Sequence, residues 1–249
     1  MQDTGKTFMR NTYYDRVSQS AQEAGEPQPP LEIPIPDDAV QIPLPPIEEI
    51  DHPAMTLVDS ILQRRSLRQY SDQALTLDEL SLLLFTSQGI QEVREGRRNK
   101  ATFRTVPSAG ARHAFETYLL INRVEGIDPG LYRYSALHHS LVQVNVEANI
   151  AREVTAGNLG QKQVLNSTVT FVWAAVVERM TWRYVERGYR YLHLDAGHVC
   201  QNVSLVAEAI GCGVCAIAAY DDEKLNEVLG LDGEAQFVIY VAALGKKKE

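Results

Sequence analysis

The sequence has little of what marks membrane proteins and disulfide-rich secreted proteins. Among its 249 residues no apolar run approaches the roughly 20 residues that a bilayer-spanning helix requires. The N-terminal residues show no apolar stretch behind a basic one, so we expect no secretory signal. Three cysteines are an odd number and too few for a disulfide framework. We therefore expect a cytoplasmic protein without a membrane partner.

Several catalytic and nucleotide-binding motifs are also missing. The sequence contains no G-x-S-x-G nucleophile turn, no G-x-G-x-x-G after a strand and no Walker loop. The formal net charge of -8 argues against nucleic acid as the main partner. The sequence therefore does not predict a serine hydrolase, a Rossmann enzyme or a nucleic-acid-binding protein.

The cysteines do not form a metal-binding or redox pattern. Cys212 and Cys215 follow a predicted helix end and enter a predicted strand, the reverse of the order in thioredoxin-like sites. Only Cys200 remains as a third thiol, which rules out a four-cysteine site. We predict that all three are buried structural residues.

The histidines on either side of Asp195 do not point to a metal site either. His193 and His198 are five residues apart, which is roughly 140° around a helix, so one ion cannot easily bind both. The sequence therefore predicts no metal.

Prolines are concentrated near the N-terminus, where nine of the eleven lie in residues 27–53. Proline fixes φ and lacks a backbone donor, so this segment is expected to be extended and neither helix nor central strand. It also carries seven leucine and isoleucine residues, too many for a free linker. Residues 1–55 are therefore interpreted as an arm along a protein surface, such as that of a partner subunit. A disordered linker is the alternative.

The remaining residues, 56–249, are predicted to form one domain of the α+β class, because strands and helices do not alternate strictly. The hydrophobic pattern predicts helices at residues 56–64, 76–89, 189–210 and 222–229. It predicts strands at residues 115–122, 130–134, 141–146, 169–177, 214–219 and 237–244.

The densest group of polar binding side chains is Arg64, Arg65, Ser66 and Arg68. Guanidinium groups match phosphate and polarised carbonyl oxygens and stay charged at any relevant pH. On an acidic chain such a cluster indicates a local anion site. The alternative is a solvated helix end, where the helix dipole favours cations.

Two weaker candidates lie elsewhere in the domain. Small residues at 107–111 would let backbone donors approach a flat ligand, although an ordinary turn explains them as well. The basic run at 246–248 is either a solvated tail or a partner of the arginine cluster at one anion.

Four segments, taken together and in this order, resemble the nitroreductase superfamily of flavin-dependent oxidoreductases, and most closely its SagB-type branch. They are R-R-S-L-R-Q-Y at 64–70, V-P-S-A-G-A-R-H at 106–113, G-L-Y-R-Y at 130–134, and R-G-Y-R-Y at 187–191 with D-A-G-H at 195–198 and G-C-G at 211–213. The resemblance covers about residues 56–248. It implies a central, mostly antiparallel sheet flanked by helices, in an intertwined homodimer with FMN at the subunit interface.

The resemblance also implies roles for individual residues. Arg64, Arg65 and Ser66 would hold the FMN phosphate and ribityl chain. Arg68 would face the N1/O2 edge of the ring, where a cation stabilises the anionic reduced flavin. Lys246 and Lys248 would close around the phosphate.

Other residues would contact the flavin from elsewhere in the fold. Residues 107–110 would lie against the ring from the other subunit, and the backbone N–H groups of residues 216–219 would meet N5 and O4. The residues in question are Pro107, Ser108, Ala109, Gly110, Gln161, Ala216, Ile217, Ala218 and Ala219.

One pair of residues departs from the pattern of the branch. Its azoline dehydrogenases, which make azoles in peptide natural products, resemble one another in a Lys-Tyr pair proposed to take the substrate proton. Here the matching pair is Arg183-Tyr184. Arginine is a poor base, whereas Tyr184 can donate or relay a proton. The catalytic candidates are thus Arg68, Arg183 and Tyr184, and the departure counts against azole formation.

The resemblance implies an oxidoreductase that passes electrons from NAD(P)H or an organic donor through flavin N5 to a small-molecule acceptor. One alternative is a dehydrogenase of a peptide or another carbon–nitrogen substrate, with the flavin reoxidised by oxygen. A second alternative is a non-catalytic flavin-binding subunit.

Overall fold

The computed structural model describes residues 3–96 and 99–248 of the chain. Its α-helices are α1 (Thr4–Asn11), α2 (Ala21–Ala24), α3 (Leu57–Gln63), α4 (Leu77–Gln88), α5 (Ile150–Gly157), α6 (Lys162–Leu165), α7 (Val177–Tyr184), α8 (Gly188–Ala209) and α9 (Asp222–Leu229). Its strands are β1 (Gln41–Pro43), β2 (Ile90–Glu95), β3 (Lys100–Arg104), β4 (Phe115–Ile121), β5 (Gly130–Ser135), β6 (Ser140–Asn145), β7 (Val169–Val176), β8 (Cys212–Ile217) and β9 (Gln236–Lys246). Short 3₁₀ turns occur at Tyr14–Arg16, Ile47–Glu49, Ala109–Ala111 and Val185–Arg187.

A seven-stranded sheet in the order β1-β6-β5-β4-β7-β9-β8 organises the fold, and every strand pair in it is antiparallel. Helices α4 and α8 pack on one face of the sheet, and α5, α6 and α9 pack on the other. The predicted α+β class and the antiparallel sheet flanked by helices are thus confirmed. The homodimer stays a prediction.

Strand β7 shows why the central strand has a continuous apolar sequence. Phe171, Trp173 and Ala175 face the core below α4 and α8, while Val172 and Ala174 face the core below α5 and α9. Because successive side chains of a strand point to opposite faces, a strand covered on both faces needs apolar residues at every position.

Local signals set the ends of several helices as predicted. Thr76 and Glu79 form a capping box at the start of α4, with both reciprocal hydrogen bonds present. Helix α8 begins and ends within one residue of its predicted bounds. Its residues Leu192, Val199 and Val203 are buried, as the helical period indicates.

Several elements are absent from the sequence-based prediction. The two-stranded sheet β2–β3 is one. Strand β2 is largely exposed, and the buried residues of β3 are the polar Thr102 and Arg104, so neither strand shows an apolar alternation. Helices α5, α6 and α7 are others. Helices α6 and α7 have four and eight residues, too short for a periodic pattern to stand out.

The proline-rich arm lies on the sheet of its own chain. Strand β1 pairs with β6 at one sheet edge, and Leu44 and Ile50 are buried. The arm therefore has no central strand, as expected, but it is not a disordered linker and it does not need a partner subunit to dock. A domain boundary at residue 55 stays a prediction.

A buried ionic cluster attaches the arm to the sheet. Glu116, 2% exposed, accepts hydrogen bonds from Arg133 Nη1 at 2.9 Å and Arg179 Nη2 at 2.6 Å. Its Oε1 also accepts from the backbone N–H of Ile33 in the arm at 2.8 Å. Arg179 Nε in turn donates to the Pro30 carbonyl at 2.8 Å. These bonds tie the backbone of the arm to the buried charges, while Arg179 Nη1 is buried without a hydrogen-bond partner among the described residues.

Helix α3 leaves an apolar face on the surface of the single chain. Its residues Leu57, Val58, Ile61 and Leu62 are 53–65% exposed. Such a contiguous exposed apolar face is unusual for a monomer and marks an interaction surface. Within the part of the chain that the structure describes, no helix is both long and apolar enough to cross a membrane.

Candidate active site

The arginine cluster lies along the free edge of β8. Ser66 forms a parallel bridge with Val214, and the Leu67 N–H donates to the Val214 carbonyl at 3.0 Å. A Cβ on Gly213 would clash with the Leu67 side chain, so glycine is needed for this close approach. The tertiary fold therefore holds residues 64–68 directly beside β8.

The four polar side chains of the cluster do not behave alike. Arg65 Nη1 donates to the carbonyls of Leu62 and Arg64, at 3.0 and 2.8 Å, and so caps the end of α3. Over residues 3–96 and 99–248, the side chains of Arg64, Ser66 and Arg68 have no hydrogen-bond or ion-pair partner. The helix-end interpretation thus describes Arg65, while the other three remain available to a ligand.

The two candidate lysines of the C-terminal run also differ. Lys246 Nζ is paired with the Glu79 carboxylate and donates to the Ile210 carbonyl at 3.3 Å. Lys248 is exposed and lines a cavity together with Arg68. Lys248 is therefore the lysine better placed to reach an anion near the cluster.

The cavity beside Arg68 has a volume of about 630 Å³ and a strongly cationic wall. Its charged lining residues are Arg68, Asp72, Arg123, Lys162 and Lys248. Four cations against one carboxylate favour an anionic ligand. Arg123 and Lys162 escaped the sequence prediction because each lies alone in the sequence.

The end of β8 supplies small side chains and backbone donors next to the cluster. Ala216, Ala218 and Ala219 are exposed. In the described part of the chain, the N–H groups of Ala218 and Ala219 donate no hydrogen bond. Gln161 Nε2 donates to the Ala219 carbonyl at 2.7 Å, which brings another predicted residue to this segment.

A buried carboxylate holds the second predicted segment, residues 107–110. Asp195 on α8, 4% exposed, accepts from Ser108 Oγ at 2.6 Å and from the Ala109 N–H at 3.2 Å. Burial raises the pKa of Asp195, while these hydrogen bonds oppose the rise. The sequence analysis considered Asp195 as a possible metal ligand and did not predict that it binds residues 108–109. The signal that could have indicated a structural role is that Asp195 belongs to the D-A-G-H segment at 195–198, which is part of the resemblance.

The same segment lies against the Arg183-Tyr184 pair. Gly110 has a φ of +56°, and a Cβ there would clash with the Tyr184 hydroxyl and lie 3.1 Å from the Arg183 side chain. Glycine is therefore required by both the backbone and the space. The Tyr184 ring makes an edge contact with Tyr191, with the ring centroids 4.8 Å apart.

The structure thus assembles the predicted residues into two groups. Residues 64–68, 216–219, Gln161 and Lys248 form one group, and residues 107–110 with Arg183 and Tyr184 form the other. Within the described ranges no hydrogen bond or ion pair joins the two groups. The roles of these residues toward a flavin stay predictions.

The cysteines belong to neither group. All three are free and buried, which confirms the structural interpretation. Burial raises the pKa of Cys200 to about 11 and that of Cys212 to about 12. Among the described residues, no group of three or more histidine, cysteine, aspartate or glutamate side chains is arranged to hold a metal ion.

Comparison with known proteins extends these observations. The chain is similar to a protein of Methanocaldococcus jannaschii named "Putative nitroreductase", with 35% identity over 212 residues, 85% of this chain and 99% of that protein. By contrast, it spans about half the length of the trifolitoxin- and microcin-processing proteins that it also matches.

Two solved structures show the same fold. A chain of the Escherichia coli microcin synthetase McbBCD complex with truncated pro-MccB17 matches with a TM-score of 0.60 and 23% identity, over 75% of this chain and 71% of that chain. The NADPH:FMN oxidoreductase from Vibrio harveyi complexed with NAD⁺ matches with a TM-score of 0.55 and 15% identity, over 78% of this chain and 69% of that chain. The model of the Nitroreductase family matches residues 61–246. The chain therefore belongs to the nitroreductase family.

Proposed function

We propose that this protein is a cytoplasmic, homodimeric FMN-dependent oxidoreductase that passes electrons from NAD(P)H or an organic donor to a small-molecule acceptor. The observation that carries the proposal is the group of side chains Arg64, Ser66 and Arg68 beside the exposed end of β8. Membership of the nitroreductase family and the fold shared with an NADPH:FMN oxidoreductase support it.

The donors of this group fit the chemistry of FMN. A phosphate requires cations and hydroxyl donors, which Arg64, Ser66 and Lys248 offer. A flat ring requires a wall without bulky side chains and polar atoms at its edge. The exposed alanines of residues 216–219 leave such a wall, and the N–H groups of Ala218 and Ala219 supply donors.

Each residue then has a distinct binding role. Arg64 and Ser66 would bind the phosphate and ribityl chain, with Lys248 from the cavity side. Arg68 would set a positive charge beside the pyrimidine edge of the ring. Arg65 caps α3 and Lys246 pairs with Glu79, so we expect both to contribute less to FMN binding than their position in the sequence indicates.

When bound, FMN supplies two-electron redox chemistry at N5. Reduction of the acceptor also requires that a proton be delivered to it. Tyr184 carries the hydroxyl that can donate or relay it, and Tyr191 and Gly110 fix the ring of Tyr184. Arg183 cannot act as a base because its guanidinium does not lose its proton.

The exposed apolar face of α3 supports the homodimer. Next to this face lies an apolar cavity of about 470 Å³, whose wall includes Leu57, Leu82 and Val206. A second copy of the chain would cover the face and the cavity together. We expect light scattering during size-exclusion chromatography to give twice the chain mass, and Leu57→Glu with Ile61→Glu to give a monomer. A monomeric wild type would contradict this part of the proposal.

The resemblance to a chain of the microcin synthetase complex supports a second candidate, a dehydrogenase of a peptide or another carbon–nitrogen substrate. Oxygen would then reoxidise the flavin. This candidate needs a base beside the substrate carbon, and Arg183 stands where the Lys-Tyr pair would provide one. We therefore favour electron transfer to a small-molecule acceptor.

Stopped-flow reduction of the bound flavin separates these candidates. We expect the purified protein to be yellow, and NADH or NADPH to bleach its flavin within a single turnover. Bleaching only by a peptide substrate would favour the dehydrogenase. Bound flavin that no donor reduces would indicate a non-catalytic subunit. A colourless protein that stays free of flavin after incubation with FMN would overturn the proposal.

A further inference from the structure

A small cleft lies between the N-terminal segment and the end of α7, and Tyr184 is one of its lining residues. Its volume is about 280 Å³, at the lower limit for ligand pockets and too small for a folded peptide segment. The residues that matter for its chemistry are Tyr14, Val17, Glu23, Arg183, Tyr184 and Arg187. We call it the arm cleft, because residues 14–23 form one entire wall.

The fold fixes that wall at several points. Arg187 Nη1 donates to the Thr12 carbonyl at 2.7 Å, and Arg190 Nε donates to the Thr12 hydroxyl at 2.6 Å. Beyond the C-terminal end of the segment, Trp182 Nε1 donates to the Glu26 carbonyl at 3.2 Å. Because helices α7 and α8 hold both ends of the segment, the cleft is a built part of the fold.

Positive charge dominates the interior of the arm cleft. In the part of the chain that the structure describes, the Arg183 guanidinium has no hydrogen-bond or ion-pair partner, and its nearest aromatic neighbour is the ring of Tyr184 at 5.6 Å. Arg187 uses Nε and Nη1 for Tyr191 and Thr12, which leaves its second terminal nitrogen. The guanidinium groups of Arg183 and Arg187 therefore both line the cleft and keep N–H donors that are not used by the described residues.

The one carboxylate in the lining does not neutralise them. Glu23 Oε2 accepts hydrogen bonds from the Ser20 N–H at 2.9 Å and from Ser20 Oγ at 3.0 Å. The first of these bonds belongs to the capping box of α2, whose other bond runs from the Glu23 N–H to Ser20 Oγ, and both bonds to the carboxylate lower the pKa of Glu23. Glu23 forms no ion pair with Arg183 or Arg187 in the described part of the chain, so its single negative charge stands against two positive ones.

We propose that the arm cleft binds the carboxylate group of a small, partly apolar organic acid that is the electron donor or acceptor of the enzyme. Arg183 is the main binding residue, with Arg187 beside it, and Tyr14 and Val17 contact the apolar part. This inference rests on the proposed function, because Gly110, which lies against Arg183 and Tyr184, belongs to the segment predicted to contact the flavin. It also gives Arg183 a task that suits a guanidinium better than proton abstraction.

Benzoate and benzamide are matched probes, since they differ in charge but little in shape. We expect isothermal titration calorimetry on the flavin-loaded protein to show benzoate binding at least tenfold more tightly than benzamide. Arg183→Gln should remove that preference, and Arg183→Lys should retain part of it. Tyr14→Ala should weaken both probes alike. Arg94→Gln, which changes an exposed arginine paired with Glu92 on β2, is the control and should change neither.

Kinetics then ties the cleft to turnover. Benzoate should raise the KM for a neutral quinone acceptor without lowering kcat if it occupies the substrate position. Equal affinity for the two probes, binding of neither, a preference that survives Arg183→Gln, or inhibition that lowers only kcat would each overturn the inference. The same titration on protein without added FMN separates the two ideas: a protein that binds no FMN but still prefers benzoate would overturn the proposed function and leave only the carboxylate site, whereas a protein that binds FMN but shows no preference would overturn the inference.

Discussion

The molecule uses arginine in two opposite ways, and the two regions are instructive side by side. In the cluster under the arm, Arg133 and Arg179 are buried and both donate to Glu116. At the edge of β8, Arg64 and Arg68 meet no acceptor among the described residues. The side chain is the same, so its surroundings decide whether it stabilises the fold or awaits a ligand.

The physical difference lies in the cost of burial. A guanidinium taken out of water must find acceptors within the protein, because an unpaired buried charge costs several kcal/mol. A guanidinium left at the surface keeps its hydration until an anion replaces it. Buried arginines should therefore control stability and edge arginines should control binding.

The largest expected effect is on the buried side of the comparison. Glu116→Gln removes the charge that Arg133 and Arg179 share, and we expect it to lower the free energy of unfolding by about 3–5 kcal/mol. Urea denaturation measures the change. The matched control is Glu92→Gln, which breaks an exposed pair with Arg94 and should cost less than about 1 kcal/mol. Similar losses in both variants would show that burial does not distinguish these pairs.

The edge arginines should show the reverse behaviour. Arg64→Ala with Ser66→Ala removes two phosphate donors, and we expect FMN affinity to fall about 100-fold, or about 2.7 kcal/mol. The free energy of unfolding of the flavin-free protein should stay within about 0.5 kcal/mol of wild type. Fluorescence titration with FMN measures the first quantity. Arg65→Ala is the control, and an equal loss of affinity there would contradict the assignment of Arg65 to the helix end.

His113 gives the buried region a pH dependence. Burial, and then the charge of Arg104, lowers the pKa of His113 to about 3. The unfolded chain, with an ordinary pKa of about 6.5, therefore binds the proton first, and stability falls as pH drops from about 6.5 toward 3. Between pH 7 and pH 5 this effect amounts to about 2 kcal/mol.

His113→Asn should remove that loss, and asparagine also tolerates the φ of +44° at this position. Chemical denaturation at both pH values is the measurement. His193→Asn, at an exposed position on α8, is the matched control. The lowered pKa would be wrong if the two variants lost the same stability between pH 7 and pH 5.

The smallest effect should come from Arg68. It tests whether Arg68 lies at the flavin ring while Arg64 and Ser66 bind the phosphate. Arg68→Ala is expected to weaken FMN binding by about tenfold and to make the bound flavin harder to reduce, with a midpoint potential lower by about 30 mV. Spectroelectrochemistry measures the potential. If Arg64→Ala shifted the potential by the same amount, Arg68 would have no special place at the ring.

Short-range signals made much of the fold predictable. The β7 sequence, the capping box of Thr76 and Glu79 and the period of α8 each act over a few neighbouring residues. The site residues at 64–68 were visible because the arginines stand together in the sequence. The sequence did not show that Arg65 caps α3 while Arg64, Ser66 and Arg68 stay without a partner in the described part of the chain. That difference depends on which carbonyls at the end of α3 an arginine can reach.

The rest depends on residues that are far apart in the sequence. The arm docks through Glu32 and Ile33 to side chains about a hundred positions later, so no local pattern indicates where it lies. Asp195 binds Ser108 across 87 positions, and the arm cleft joins residues 14–23 to α7. Tertiary contacts of this kind become visible only once the chain is folded.

The place of the arm also bears on how the protein avoids aggregation. Strand β1 covers the open edge of β6, and residues 66–67 cover part of the edge of β8, so both ends of the seven-stranded sheet are shielded. The outer edge of β1 is itself a poor template, because the strand has three residues and Pro43 lacks an N–H group. Proline in the arm thus protects a sheet that would otherwise pair edge to edge with its neighbours.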